Sequence, residues 1–424
     1  MLKRTRSFLV LVMLLMTVTM SAQVTTATMS GKVTAQDEPI IGATIVAIHE
    51  PSGTRYGTVT NVSGQFNLQG MRTGGPYKVE ISYVGYQTAI YKGINLLLGE
   101  NYVLNVSLKE SSELLDEVVV TASKESNMKS DRAGAIMNAN RDMISNTPTI
   151  SRSISDIMRL SPQGADVGNG FAVGGGNYRQ SFVTVDGAAF NNTFGLGGNL
   201  PANGSPISLD ALEQVTVAVT PFDVRQSGFT GGAINAVTRS GDNQFRGTAY
   251  MYFNNENLKG SKVDDYELLR SKAQYYTYGA SFGGPIIKDK LFFFVNGEYE
   301  DNVTAGSNYR PRTALGESYS GGNIHRPLQS DMDDMRGFLL NKYNFDPGKY
   351  NDYSTDTPAY RVMARVDWNA NQNNKVSFRF TKTHTKDSNF PTSSVSPLST
   401  SALYPGGTST EVIDLSLIHI SEPT

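Results

Sequence analysis

The residues best suited to move protons or bind metal are four histidines, His49, His325, His384 and His419, and their scatter gives no metal-ligand spacing. No nucleophile, base and orienting group fall into one constellation, so no catalytic residue, no metal site and no cofactor is nominated. Asp331, Asp333 and Asp334 are a dense acidic cluster; they could hold calcium or a cationic ligand, and a solvated acidic loop has the same composition. Gly174, Gly175 and Gly176 invite a phosphate-loop reading. No Lys-Ser or Lys-Thr follows them and no strand-glycine-helix unit is visible, so tight turns are the better account. Asp186 before Gly187 is either a buried functional carboxylate or a turn-stabilising Asp-Gly pair. Arg179 is a candidate partner for Glu298 or Glu300. The remaining chemistry belongs to the main chain. An apolar island, Leu115-Asp116-Glu117-Val118-Val119-Val120-Thr121-Ala122, sits in a polar linker. Such a segment can add as a strand to the edge of a partner, with backbone hydrogen bonds carrying a pull, or it can be an ordinary strand of the domain on either side.

The elements that would position these residues are dominated by a period of two. After Gly241, Phe245, Gly247, Ala249, Met251 and Phe253 share one side of a strand, with Arg246, Thr248, Tyr250 and Tyr252 on the other. The pattern returns at Tyr276 to Phe282, at Leu291 to Tyr299 against Asn296, Glu298 and Glu300, at Tyr360 to Trp368 against Arg361, Arg365 and Asp367, and at Val376 to Phe380 against Ser377, Arg379 and Thr381. Tyrosine-rich strands with one greasy and one charged face are what an outer-membrane β-barrel requires, with lipid outside and water inside. If the first of these strands runs outward from a periplasmic domain, the connections alternate, with residues 254–272 and 301–357 long and outside and 283–290 and 369–374 short and inside.

Composition agrees. Cysteine is absent, which excludes a disulfide scaffold and a lipid-modified N-terminal cysteine, and the formal net charge of −2 gives no reason to invoke nucleic acid. Lys3, Arg4 and Arg6 precede an apolar stretch from Phe8 to Met20, so residues 1–22 read as a signal peptide cut after Ala22. Residues 23–110 then read as an all-β sandwich of about seven strands, with turns at Pro51-Ser52-Gly53, Asn61 to Gly64 and Thr73 to Pro76. Residues 111–130 form the linker. Residues 131–241 shift to Gly, Asn and Ser and read as a compact α+β domain, with a helix from Ser153 to Leu160 and strands at 181–185, 213–219 and 233–238.

Gly31-Lys32-Val33, Pro39 to Ala43, Thr60-Asn61 with Gly64-Gln65-Phe66, and Val84-Gly85-Tyr86 resemble the carboxypeptidase regulatory-like domain, a transthyretin-like sandwich whose name implies no peptidase activity. In order along the chain, the island Leu115 to Ala122, the run Val173 to Arg179 with Val185 to Ala188 and Asn191-Asn192, the run Gly231-Gly232 to Gly241, and Gly283 to Phe294 resemble TonB-dependent outer-membrane receptors, the Oar-like branch most closely. The resemblance implies an all-β sandwich, an α+β plug at 131–241 carrying Gly174, Gly175, Gly176, Asp186, Gly187, Gly231 and Gly232, and the first strands of an antiparallel transmembrane β-barrel from residue 242. It implies that Leu115 to Ala122 is the TonB box. The partners it implies are TonB with its inner-membrane energy-transducing complex, outer-membrane lipid, an extracellular ligand and, as a further candidate, a surface lipoprotein.

The implied function is active transport across the outer membrane, driven by the inner-membrane proton gradient. The competing reading is an adhesion or structural surface protein whose barrel only anchors loops. Such transporters use about 22 strands, and the residues after Gly241 supply roughly five, so a piece of a longer protein is expected. Residues 416–424 break the alternation and are expected to be a non-native tail.

Overall fold

The computed structural model describes residues 25–110, 118–121, 136–149, 152–167, 170–190, 206–219, 231–258, 260, 262–264, 266–267, 272–305, 310–318, 324–348, 354–371, 374–389 and 406–421. Two facing sheets make the N-terminal unit. One contains β1 (Ala27–Ala35), β2 (Glu38–Pro39), β5 (Gln65–Met71), β8 (Asn101–Val103) and β9 (Val106–Ser107), with β8 and β9 both parallel to β1. The other runs, in spatial order, β10 (Val118–Thr121), β7 (Ala89–Leu96), β6 (Gly74–Ser82), β3 (Thr44–His49) and β4 (Thr54–Val59). Alternate residues of β3 and β6, including Ile45, Ala47, Tyr77, Val79 and Ile81, are fully buried between the sheets with Met29, Val33 and Met71. Removing these side chains from water stabilises the sandwich at roughly 25 cal/mol for each Å² of apolar surface. The strand β6 begins at Gly74, inside the turn expected at Thr73 to Pro76, and the last strands of the sandwich before the linker are the short β8 and β9.

A mixed five-stranded sheet organises the middle of the chain: β11 (Ile136–Asn140), β16 (Leu212–Ala218), β17 (Ala233–Thr238), β14 (Phe182–Val185) and β15 (Ala188–Ala189), in that order. Only the β14 and β17 pair is parallel. The hairpin of β12 (Gly164–Asp166) and β13 (Phe171–Val173) and the helix Ile154–Met158 pack on it. That helix is shorter than the 153–160 expected. Ser153 stands at its N-terminus, where the Asp156 carboxylate accepts the Ser153 N–H at 3.3 Å, and Pro162 follows its end.

The last sheet is antiparallel throughout: β18 (Arg246–Asn255), then β21 (Gln274–Ile287), β22 (Leu291–Ala305), β26 (Ala359–Asn369), β27 (Asn374–Asn389) and β28 (Gly406–Ser421), with β25 (Ser354–Asp356) also on β22. Short pairs lie in the long connections: β19 (Lys262–Val263) with β20 (Tyr266–Glu267), and β23 (Arg310–Arg312) with β24 (Ile324–Leu328). Among the described residues six long strands are present, where about five were expected. The backbone ladder of β28 runs to Ser421, into the stretch where the alternation was expected to break.

The two faces of this sheet differ as the alternation requires. Phe253, Phe282, Val295, Tyr299, Val362, Trp368 and Phe378 are exposed, while Asn296, Glu298, Glu300, Arg361, Asp367, Arg379, Thr381 and Thr383 are buried. Tyr278 and Tyr299 sit opposite each other on the apolar face, and the β21–β22 ladder continues beyond them to Val303 and Gln274. Among the described residues, no helix is long and apolar enough to cross a membrane.

Candidate functional site

The buried polar face of the long-stranded sheet lies against the central domain, and the contact is ionic and hydrogen-bonded. Asp186 closes the β14–β15 turn with a positive φ of 45°. Its carboxylate accepts the Thr238 N–H at 2.8 Å and the Arg379 Nη1 at 3.0 Å, and Arg365 Nη1 lies 3.6 Å away. Burial pushes the Asp186 carboxyl up, but Arg365 and Arg379 together with the Thr238 bonds outweigh it and hold the pKa below the ordinary carboxylate range. Arg379 also donates to the Val185 carbonyl at 2.7 Å, and Arg365 to the Thr238 carbonyl at 2.8 Å and to Asp367 at 2.9 Å. Asp367 in turn accepts the hydroxyls of Ser240 and Ser377. Asp186 therefore makes the expected turn, and its carboxylate is buried and aimed at the sheet.

A second cluster joins the same surfaces further along the strands. Ser208 donates to Glu298 Oε2 at 2.8 Å, and Tyr250 reaches the same oxygen. Arg361 bridges Glu298 and Glu300 at 3.0 and 2.8 Å with almost no exposure. The expected pairing of Arg179 with these glutamates is not what forms. Arg179 instead lies on the exposed turn beside Tyr178, and Arg361, the cross-strand neighbour of Glu298, neutralises both carboxylates. A desolvated glutamate takes the nearest cation that its strand register supplies. Around these clusters, Thr248 donates to Asp210 at 2.6 Å, Thr383 to the Pro206 carbonyl at 2.6 Å, and Arg239 lies 4.7 Å above the Phe294 ring. Phe294 and Met363 stay in the ladder of the sheet, and their side chains join the apolar core of the central domain.

The glycines are packing and turn residues. Gly174 and Gly175, with φ of 65° and 75°, turn the chain after β13. A Cβ on Gly232 would lie 2.5 Å from Val173 Cγ1, so only glycine lets β17 start against β13. Gly176 and Gly231 approach each other and Gln180, and Gly187 completes the Asp186 turn. Asp331, Asp333 and Asp334 lie exposed on a helix, Gln329–Tyr343, in the long connection after β22. Sequence reasoning missed this helix, although its residues contain no proline and Asn344 closes it in the left-handed conformation.

Of the island Leu115 to Ala122, residues Leu115, Asp116, Glu117 and Ala122 lie outside the described residues. Val118, Val119, Val120 and Thr121 pair in parallel with Ala89, Ile90, Tyr91 and Lys92 at the edge of the sandwich. The sandwich itself rests on the other two units: Leu98 N–H donates to Gln214 at 3.2 Å, Asn243 N–H to the Pro51 carbonyl at 2.9 Å, and Asn369 to Thr54 at 3.0 Å. Lys375 lies 3.6 Å above the Tyr56 ring. A cavity of about 620 Å³ remains at this three-way junction, lined by Arg72, Asp186, Glu213, Arg239, Arg365 and Asp367 among others.

Residues 28–109 match the carboxypeptidase regulatory-like domain and residues 237–323 an outer membrane beta barrel domain. The chain is 27% identical over 256 residues to the TonB-dependent transporter Oar of Myxococcus xanthus, covering 59% of this chain and 22% of that protein. It is 29% identical over 269 residues to the TonB-dependent receptor SusC of Bacteroides thetaiotaomicron, covering 60% and 24%. A crystal structure of the ferric enterobactin receptor mutant (Q482A) from Pseudomonas aeruginosa in complex with enterobactin aligns at 14% identity and a TM-score of 0.48, over 70% of this chain and 40% of that one. The chain thus spans about a quarter of the length of the two relatives.

Proposed function

We propose that this chain, which belongs to the TonB-dependent receptors of the outer membrane of Gram-negative bacteria, takes part in energised uptake of an extracellular ligand, with residues 131–241 as the plug and the strands from β18 onward as one arc of the barrel. The observation that carries the reading is the opposite character of the two faces of the long-stranded sheet. One face offers aromatic and aliphatic side chains to hydrocarbon, and the other is sealed by buried charges against a separate domain. An anchor for surface loops has no use for a barrel filled with a domain held by breakable polar contacts. A transporter does, because the filling must later move.

In this mechanism ligand binds the extracellular loops and the top of the plug, and TonB engages Leu115 to Ala122 on the periplasmic side. Work from the inner-membrane proton gradient then displaces or partly unfolds the plug. Short strands, glycine turns and a seam of hydrogen bonds suit a domain drawn from the low end of local stability.

The test is a photo-cross-linking residue placed at Val119 of the full-length receptor in cells. A cross-link to TonB that disappears in cells lacking TonB is the expected result. Absence of any such cross-link, with the receptor normally inserted, would favour the anchoring role.

A further inference from the structure

The segment assigned above to energy coupling is the outermost strand of an ordered sheet, and its partner in that sheet belongs to the sandwich. The order β10, β7, β6, β3, β4 leaves β10 at the edge, and among the described residues no strand pairs with its other side. Four consecutive residues are in register, Val118 with Ala89 through Thr121 with Lys92. The acceptor edge is bounded at both ends. Gly93, with a φ of 78°, interrupts the extended backbone directly after Lys92. Before Ala89, Tyr86 bridges Glu110, and the Gln87 N–H donates to the Lys109 carbonyl at 2.9 Å. The chain leaving β9 is thereby held beside the start of the edge it is about to join, so pairing of β10 is intramolecular and favoured by a high effective concentration.

We infer that the sandwich and residues 118–121 together form one composite docking edge, on which a strand of TonB continues the sheet beyond β10. The inference rests on the assignment of this segment as the TonB-binding one. A strand uses alternate residues for each of its two neighbours, so pairing with β7 leaves the outward-facing backbone groups of β10 available. An edge strand already fixed in the extended conformation is a template for another chain, and its ordering entropy is spent before the partner arrives. The sandwich then acts as the platform that preorganises the coupling segment.

Residues 1–424 contain no cysteine, so Lys92→Cys with Thr121→Cys, made with any cysteine beyond them replaced by serine, introduces the sole thiols, at positions paired in register and one of which, Lys92, is exposed. The probe is the periplasmic domain of TonB, titrated against the full-length receptor carrying this pair in the oxidised and reduced states, and against a free peptide of residues 111–130. The expected result is rapid disulfide formation, oxidised receptor binding at least as tightly as reduced, and peptide binding weaker by about tenfold or more, as for a segment competent only a tenth of the time. Loss of binding on oxidation would overturn the inference, since the partner would then need the segment released. Failure of the pair to oxidise faster than an Asn95→Cys, Thr121→Cys control, or a peptide as tight as the receptor, would overturn it as well. If deletion of residues 116–122 leaves TonB binding unchanged, the transport assignment itself fails and the inference falls with it.

Discussion

Arg379 of β27 donates to Asp186 at 3.0 Å across 193 residues of sequence, and both side chains are buried. One carboxylate thus fastens the β14–β15 turn to two neighbouring strands, since Arg365 of β26 stands 3.6 Å from the same oxygen.

Asp186→Asn is expected to weaken this fastening without removing the turn. Two buried guanidiniums would lose their shared counter-charge, at a cost of about 3 kcal/mol. The measurement is the thermal unfolding transition of the purified receptor in detergent, with protease sensitivity of the central domain as a second readout. Asp331→Asn, on an exposed helix, is the control and should shift stability by no more than about 0.5 kcal/mol. Equal behaviour of the two variants would show that the seam contributes little to holding the domains together.

Val295 separates a membrane surface from a water-exposed one. It is 42% exposed on β22, midway between Leu291 and Tyr299 and opposite Phe282 and Ala364. In a water-soluble protein Val295→Arg would be nearly neutral. Facing hydrocarbon, it should cost about 2–4 kcal/mol, read as a fall in the folded fraction after refolding into lipid vesicles.

His49 makes the sandwich sensitive to acid. Burial, aided by the nearby Arg72, lowers its pKa from 6.5 to about 3. Its Nδ1 is 2.7 Å from Ser52 Oγ, in a chain that continues through Thr54 to Asn369. Between those two pKa values the unfolded chain binds a proton that the folded one refuses, so stability is complete above pH 6.5 and declines as the pH falls toward 3. From pH 7 to pH 5 the sandwich should lose about 2 kcal/mol from this residue. Denaturant midpoints at the two pH values test it: His49→Asn, whose amide can keep the bond to Ser52, should remove that part of the pH dependence.

What could be read in the sequence was what repeats locally. The strands of the last sheet were legible because hydrocarbon on one side and a polar interior on the other impose a strict period of two, as at Val362, Ala364 and Val366 against Arg361 and Arg365. Where both faces are apolar the phase fades: Phe292 and Phe294 point inward and are buried, although Phe293 beside them belongs to the outer face. The partners of the buried charges were not legible. Glu298 meets Arg361 through strand register and Ser208 through domain docking, and neither leaves a mark in the spacing. The helix Gln329–Tyr343 escaped because Met335, Phe338 and Leu340 remain exposed, so no one-sided apolar stripe announces it. The short span Val118 to Thr121 admitted two readings, and its place beside β7 satisfies the bland one without disposing of the other.

In the proposed barrel the paired tyrosines of β21 and β22 would mark a level on its outer wall. Tyr278 and Tyr299 stand where ring and hydroxyl would straddle the headgroup layer, and β22 runs on from there to Ala305. In the proposed barrel, at about 3.4 Å per residue and the usual tilt, that overhang would lift the loops about 15 Å clear of the bilayer. A molecule arriving from outside would meet a raised parapet of protein before it touched lipid.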